Sequence, residues 1–547
     1  MTRKNKCDAC RKAKIKCDEA RPRCSQCLYR GKTCTHNWAL RDLAFVQVTG
    51  EIVDGVTNLG LEAQEQMSSV DPVAVSPRSK VRLPRGTLPP PTNSIKIVGN
   101  DIFYRRSKGS SLLARWVSII VAGEGIPRES FQGYGDWMIY IPQYIGNSRP
   151  IDDAVTCLID CRVVLLNPTE KNRQAVRASN RAAVSSIAAI LEAGPQFCSG
   201  DVLLAIQTLY LVESMLKHIA TAIIHVTGLL ALLKQYDKRL KASSINDDLI
   251  SRQIFMYNAS SGVLPALISG KNHELDDPEW LSYSLPPLSA PGIPDAILQA
   301  AASNTTQACI LIPRLAALIH RLAASPADLD LEQAALDVAQ KMLSLRLDDR
   351  LLSEPFSSGQ FHYKTTTLSS VSDLVPMSYD FEAGRLVMLF RSCWLGRLLV
   401  CGLVDTLMET SDLAARSIDA TEVHAEDVRM ATNALMSTQS ALVPSTRGDL
   451  IAQRIQDNVF LSMLIPSYGT WERAERRARA SATGGHEELV GGAPRASLLK
   501  QLTFDYVHVF QERCGNPQNT KEQLKDIVGF LTARPTGLKV VLVNRDL

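Results

Sequence analysis

The chain has 547 residues, more than one typical domain holds, with 45% hydrophobic residues and a formal net charge of +4. That apolar share is ordinary for soluble proteins and large enough for a sizeable core. A membrane-spanning reading is disfavoured, because Glu213, Lys217 and His218 interrupt the apolar run from Leu203 to Leu233, and Arg391 and Arg397 interrupt the run from Leu386 to Leu407. The first ten residues are polar and basic, unlike a signal peptide, so a soluble intracellular protein is expected.

In chain order, residues 1–37 come first and carry most of the signal. Residues 1–36 hold eleven Lys/Arg against three Asp/Glu, whereas the remainder holds 49 against 53. A basic module on a mildly acidic body fits a nucleic-acid binder. Six of the thirteen cysteines fall here. Cys7, Cys10, Cys17, Cys24, Cys27 and Cys34 are spaced C-x2-C-x6-C-x6-C-x2-C-x6-C, which is one three-cysteine unit written twice. Without secretion, dense cysteines point to metal rather than disulfides.

Each C-x2-C pair can turn tightly and offer two thiolates to one metal. Each x6 step leaves length for a short helix that returns a third. Three ligands per unit leave a tetrahedral zinc one short. If two of the six thiolates bridge both metals, the eight positions of two zinc ions are filled, and the internal symmetry suggests that equivalent cysteines of the two units do the bridging. A closed all-sulfur site is structural, with no open position for substrate. About 30 residues cannot bury a sufficient core alone, so metal binding would supply on the order of 10 kcal/mol of folding free energy per zinc.

The two units differ in charge. Arg11, Lys12, Lys14 and Lys16 lie between Cys10 and Cys17, whereas the second unit reads Leu28-Tyr29-Arg30-Gly31-Lys32-Thr33. The first helix is therefore the one expected to face phosphates and base edges. Pro22 fixes the turn in the connecting loop, Asp18 to Arg23.

Cys7-Asp8-Ala9-Cys10-Arg11-Lys12-Ala13-Lys14-Ile15-Lys16-Cys17, continued to Cys34, closely resembles the fungal binuclear zinc-cluster DNA-binding domain. The resemblance covers about 30 residues and implies two short helices around two zinc ions. It implies that Cys7 and Cys24 bridge, so that one zinc takes Cys7, Cys10, Cys17 and Cys24 and the other Cys7, Cys24, Cys27 and Cys34. It further implies that the first helix docks end-on in the major groove over CGG-like triplets. Lys14 matches the base-reading position, and Arg11 and Lys16 match basic positions where phosphate contact is expected. Ala13 departs from the pattern, since many members carry a second basic residue there. Lysine can donate to guanine O6 and N7, while the other bases position the module and make affinity salt-dependent.

Residues 38–99 read as a flexible linker: Gly50, Gly55 and Gly60, then Ser76-Pro77-Arg78-Ser79-Lys80 and Pro89-Pro90-Pro91. Leu40, Leu43 and Val46 begin a heptad pattern that Gly50 and Gly55 break, so no clear coiled coil is expected and homodimerisation stays open. Arg78, Lys80, Arg82 and Arg85 fit extra phosphate contacts, a nuclear import signal or a solvated linker.

Residues 100–547 read as a large all-α body. Leu209, Val212, Leu216, Ile219, Ile223, Val226, Leu230 and Leu233 step by three and four residues. Burial explains this stripe better than a coiled coil, because Leu203, Leu204, Ile224, Leu229 and Leu232 make other faces apolar too. Further helices are expected at 151–165, 172–193, 295–324, 328–348, 380–408, 420–440, 448–463, 498–513 and 520–532. A break is expected at Pro286-Pro287, Pro291 and Pro294, a Gly/Ala/Ser-rich loop at 479–496 and one short strand at Val540-Val541-Leu542-Val543. The run Leu203–Leu216 and His225-Val226-Thr227-Gly228-Leu229-Leu230 resemble the helical regulatory region found behind such clusters.

No nucleophile elbow, Walker A or dinucleotide fingerprint occurs, so no enzyme is expected. His486-Glu487-Glu488-Leu489-Val490 lacks the second His of a zinc protease, and Gly123-Glu124-Gly125 is a lone G-x-G. Cys157 and Cys161, one turn apart, read as buried core thiols. His218 and His225 read as satisfied core groups, His36 as exposed and Asp348-Asp349 as an exposed helix end. The expected protein is a nuclear regulator that binds double-stranded DNA through two zinc ions, with transcriptional co-regulators as further partners. The alternative is a zinc-stabilised protein-interaction module on a helical scaffold.

Overall fold

The computed structural model describes residues 13, 25–30, 109–117, 136–194, 199–240, 245–283, 285, 288, 293–347, 350–351, 361–365, 374–381, 384–442, 450–483, 492–514 and 518–534. These are mainly helical. In the first half α1 is Ser25–Tyr29, α2 Arg149–Leu166, α3 Glu170–Ala193, α4 Gly200–Met215, α5 Ile219–Leu240, α6 Ile245–Ser261, α7 Val263–Ser269 and α8 Pro278–Leu281. In the second half α9 is Asp295–Ala324, α10 Leu329–Ser344, β1 Phe361–Thr365, β2 Met377–Phe381, α11 Gly384–Thr410, α12 Asp412–Ser417, α13 Ala420–Leu442, α14 Leu450–Thr483, α15 Gly492–Cys514 and α16 Lys521–Leu531. Several helices begin where a short polar side chain can answer an orphan amide. Thr169 accepts from Asn172 N, Asp328 from Leu331 N and Ser411 from Ala414 N. Thr520 and Gln523 form a reciprocal capping box.

Among the described residues, three apolar clusters fill the body. The first gathers Trp116, Trp137, Val155, Leu204, Leu229 and Phe255, mostly from α2, α4, α5 and α6. The second gathers β2, α11 and α13 to α16 around Phe390, Trp394, Phe460 and Phe510. The third lies between α9, α10 and α11. Helix α9 is long and apolar enough to cross a membrane by composition, yet Ile310, Ile312 and Leu315 on it are fully buried among these clusters.

Four expectations need correction. The apolar stripe from Leu209 to Leu233 is not one helix. It breaks at Lys217, which takes a left-handed conformation at φ 62°, and α4 and α5 pack against each other. A break of a few residues keeps the three-and-four spacing while redirecting the axis, so periodicity alone does not reveal it. The stripe is nonetheless buried as expected at Leu209, Val212, Leu216, Val226, Leu230 and Leu233.

The body is also not all-α. β1 and β2 pair antiparallel, from Phe361↔Phe381 to Thr365↔Met377, and β2 packs on α13. Tyr379 on β2 stacks on Trp394 at 5.6 Å and donates to Asn433 Oδ1 at 2.8 Å. Five residues per strand give too few periods to separate strand from helix, and the sequence reading began a helix at 380 inside β2.

The third correction concerns α14, which runs through Pro466 to Thr483. An interior proline costs about 3 kcal/mol, but Leu464, Tyr468 and Trp471 are buried on either side of it and outweigh that cost. Fourth, residues 479–483 and 492–496, part of the loop expected at 479–496, are helical. The strand expected at 540–543 and the linker at 38–99 lie outside the described residues.

Two glycines let α16 seat closely. A Cβ at Gly469 would collide with Val528, and one at Gly402 would meet Thr532. Charges lock the same corner. Arg534 reaches Asp405 and Glu409 of α11, both at 2.8 Å. Arg473 binds Asp427 at 2.7 Å, and His424 and Arg477 approach Asp405 at 3.0 and 3.4 Å. Burial by itself would raise the Asp405 pKa, but the His424 hydrogen bond and the guanidinium groups of Arg473, Arg477 and Arg534 hold it at about 2.

Candidate metal centre and nucleic-acid interface

Of the amino-terminal module, the described residues are Ala13 and 25–30. Helix α1 starts directly after Cys24 and carries Cys27, so the second C-x2-C pair straddles a helix N-terminus. Arg30 N donates to Gln26 O at 3.2 Å and closes the turn. Burial around it is one-sided: Cys27 is 3% exposed while Gln26, Tyr29 and Arg30 are exposed. A module this small has little apolar core to hide a side chain. A buried sulfur at a helix start, where the amide ends favour negative charge, fits a thiolate turned toward a metal. The donor set fits zinc as well, since six thiolates at x2 and x6 spacing suit two tetrahedral sites.

Cys7, Cys10, Cys17, Cys24 and Cys34, and the basic candidates Arg11, Lys12, Lys14 and Lys16, lie outside the described residues, as does His36. Ala13, amid the basic run, sits in a turn and is exposed. Tyr29 is 91% exposed. The sequence reading gave the second unit no contact role, although an aromatic beside Arg30 was visible there.

The described body offers no competing metal site: no group of three or more His, Cys, Asp or Glu among the described residues is placed to hold an ion. Cys157 and Cys161 are fully buried, as expected. Burial pushes the Cys157 thiol up to about 12 and Cys161 well above its ordinary value, so both stay protonated. Cys309 and Cys393 reach about 12 for the same reason. His218 is satisfied, its Nδ1 lying 2.6 Å from Glu213 Oε2. His225 corrects the expectation of a satisfied group, because its Nε2 is buried with no hydrogen-bond partner among the described residues, and burial lowers its pKa.

A basic module with six regularly spaced cysteines stands ahead of a helical body. The family comparison agrees: residues 6–42 match the fungal Zn(2)-Cys(6) binuclear cluster domain, so the chain carries that domain. The domain binds two zinc ions and implies a DNA-binding transcription factor rather than an enzyme. Transcription factors with this domain are generally nuclear. No curated protein and no solved structure matches the chain.

Proposed function

We propose that the chain is a nuclear, sequence-specific regulator of RNA polymerase II genes that reads CGG-like triplets in the major groove. Cys7, Cys10, Cys17, Cys24, Cys27 and Cys34 hold two zinc ions, with Cys7 and Cys24 shared. Lys14 reads the base edge, and Arg11, Lys12 and Lys16 grip phosphates. Residues 1–37 form the reading module, 38–99 the linker and 100–547 the regulatory region, which receives co-regulators. A pathway-specific role, such as control of a secondary-metabolite gene cluster, suits this arrangement.

The observation that carries the reading is the doubled three-cysteine unit with four bases in its first copy only. That asymmetry gives one helix a positive tip and leaves the other to close the metal cage. Lys14→Ala tests it in two measurements. The variant should retain two zinc ions by elemental analysis and lose about 1–3 kcal/mol of preference for the CGG triplet over a scrambled one. Retained preference would assign base reading to another residue. A binding constant that falls steeply with salt supports phosphate contact. No retention by any duplex would favour the protein-interaction module instead.

A further inference from the structure

We propose that Ser325, in the turn between α9 and α10, is a phosphorylation site for a proline-directed serine kinase. Pro326 shapes the turn. A residue before proline is kept out of the helical region, and Ser325 takes φ −139° and ψ 69° at the end of α9. Its amide still donates to Arg321 O at 3.0 Å and to Leu322 O at 3.1 Å, so the turn is anchored on its helix side.

Exposure makes this serine reachable. Residues 323–330 are all exposed, bounded by Leu322 at 1% and Leu331 at 6%. An enzyme can draw that stretch into its cleft without uncovering the core beneath α9 and α10. A kinase takes its substrate in extended form, and Ser325 and Pro326 already lie outside both helices. Proline has no N–H, so a pocket that offers that amide no acceptor selects for it. Beside the serine, Leu329 is 74% exposed, an apolar side chain that the fold leaves uncovered.

The step transfers the γ-phosphoryl group of ATP. The bond from the γ-phosphorus to the bridging oxygen breaks and a bond from Ser325 Oγ to phosphorus forms. The hydroxyl proton passes to the kinase's base, and ADP leaves. The product carries about −1.5 to −2 charges. They fall at the C-terminal end of α9, where the helix dipole is already negative. The N-terminus of α10 favours an anion, but Asp328 fills that place by accepting from Leu331 N at 3.0 Å. Asp330 and Glu332 follow in the first turn. Arg321, the basic residue in the last turn of α9, offsets only part of this repulsion. The new charge therefore loosens the turn and the start of α10. Glu332 ties that start to α12 by accepting from Leu413 N at 3.1 Å, so the charge acts where these elements join. This inference does not depend on how the amino-terminal module reads DNA.

The test uses the full-length, zinc-loaded protein carrying Ser76→Ala, which removes the chain's other Ser-Pro step. It is incubated with a purified proline-directed kinase and Mg-ATP, and the modified residue is located by mass spectrometry. Ser325 should gain a phosphoryl group, and Pro326→Ala should cut the rate roughly tenfold. Amide hydrogen exchange across 325–332 should then run about two- to fivefold faster in the phosphorylated protein. Two results would overturn the site: Ser325 left unmodified in the folded protein, even where the urea-unfolded chain is modified, or an undiminished rate in Pro326→Ala. Unchanged exchange in the phosphorylated protein would overturn the loosening.

Discussion

The amino-terminal module and the helical body hold six and seven cysteines and use them in opposite ways. In the module the sulfurs recur at fixed short spacing among bases, in a segment too small for an apolar core of its own, which is the pattern expected of metal ligands. In the body Cys157, Cys161, Cys309, Cys393 and Cys401 are scattered along helices and buried. Burial holds them as neutral thiols, with Cys401 pushed well above its ordinary value. The difference teaches that residue type does not set cysteine chemistry. Spacing sets it where there is no core, and burial sets it where there is one.

The strongest way to break that comparison is to remove the metal. Chelation should unfold the module, which loses on the order of 10 kcal/mol per zinc, and abolish DNA binding, while far-ultraviolet circular dichroism of the body stays nearly unchanged. Alkylation of the chelated, otherwise native protein, mapped by mass spectrometry, should label the six module cysteines and spare Cys157, Cys161, Cys309, Cys393 and Cys401. Labelling of those five at a similar rate would show that burial does not protect them.

A smaller effect tests what holds the body in place of metal. Arg397→Ala strands Glu426, which is 7% exposed, and strips a donor from the carbonyls that end α10. It should cost about 3–5 kcal/mol in urea unfolding without changing zinc content. An equal loss of zinc would mean that module and body fold as one unit.

Acid sharpens the comparison within the body. His273 is 3% exposed; its Nε2 donates to Ala259 O and its Nδ1 accepts from Leu275 N, so the ring is held neutral. Burial takes its pKa to about 4. The unfolded chain then binds a proton that the folded chain refuses, so about 3 kcal/mol of stability is lost as the pH falls from about 6.5 to about 4. Asp405 acts lower and more weakly. Its depressed pKa contributes about 2 kcal/mol above pH 4, and this is lost as the pH falls toward 2. Urea midpoints measured against pH should fall in both windows, and His273→Gln should shrink the upper fall and leave the lower one, with His225, whose pKa burial also lowers, supplying part of what remains.

Much of the fold was legible beforehand, as was the zinc-cluster domain that residues 6–42 match. Helix α9 starts and ends at the expected residues, because Pro294 stands before it and a regular apolar pattern fills it. The break at Lys217, the passage of α14 through Pro466 and the β1–β2 pair were not legible. Each depends on a partner distant in the chain: α5 folding back on α4, buried faces on both sides of Pro466, and Tyr379 lying between Trp394 and Asn433.

The sequence alone determined the metal chemistry, because six sulfurs at repeating short intervals need only local turns to reach two ions. It also determined that the rest is a helical body, because apolar spacing along a helix is local too. Only the tertiary structure decided that Arg397 meets Glu426 while Arg391 lies over the ring of Phe460. Pairing depends on which residues of α13 and α14 face α11, and no local pattern in the chain encodes that.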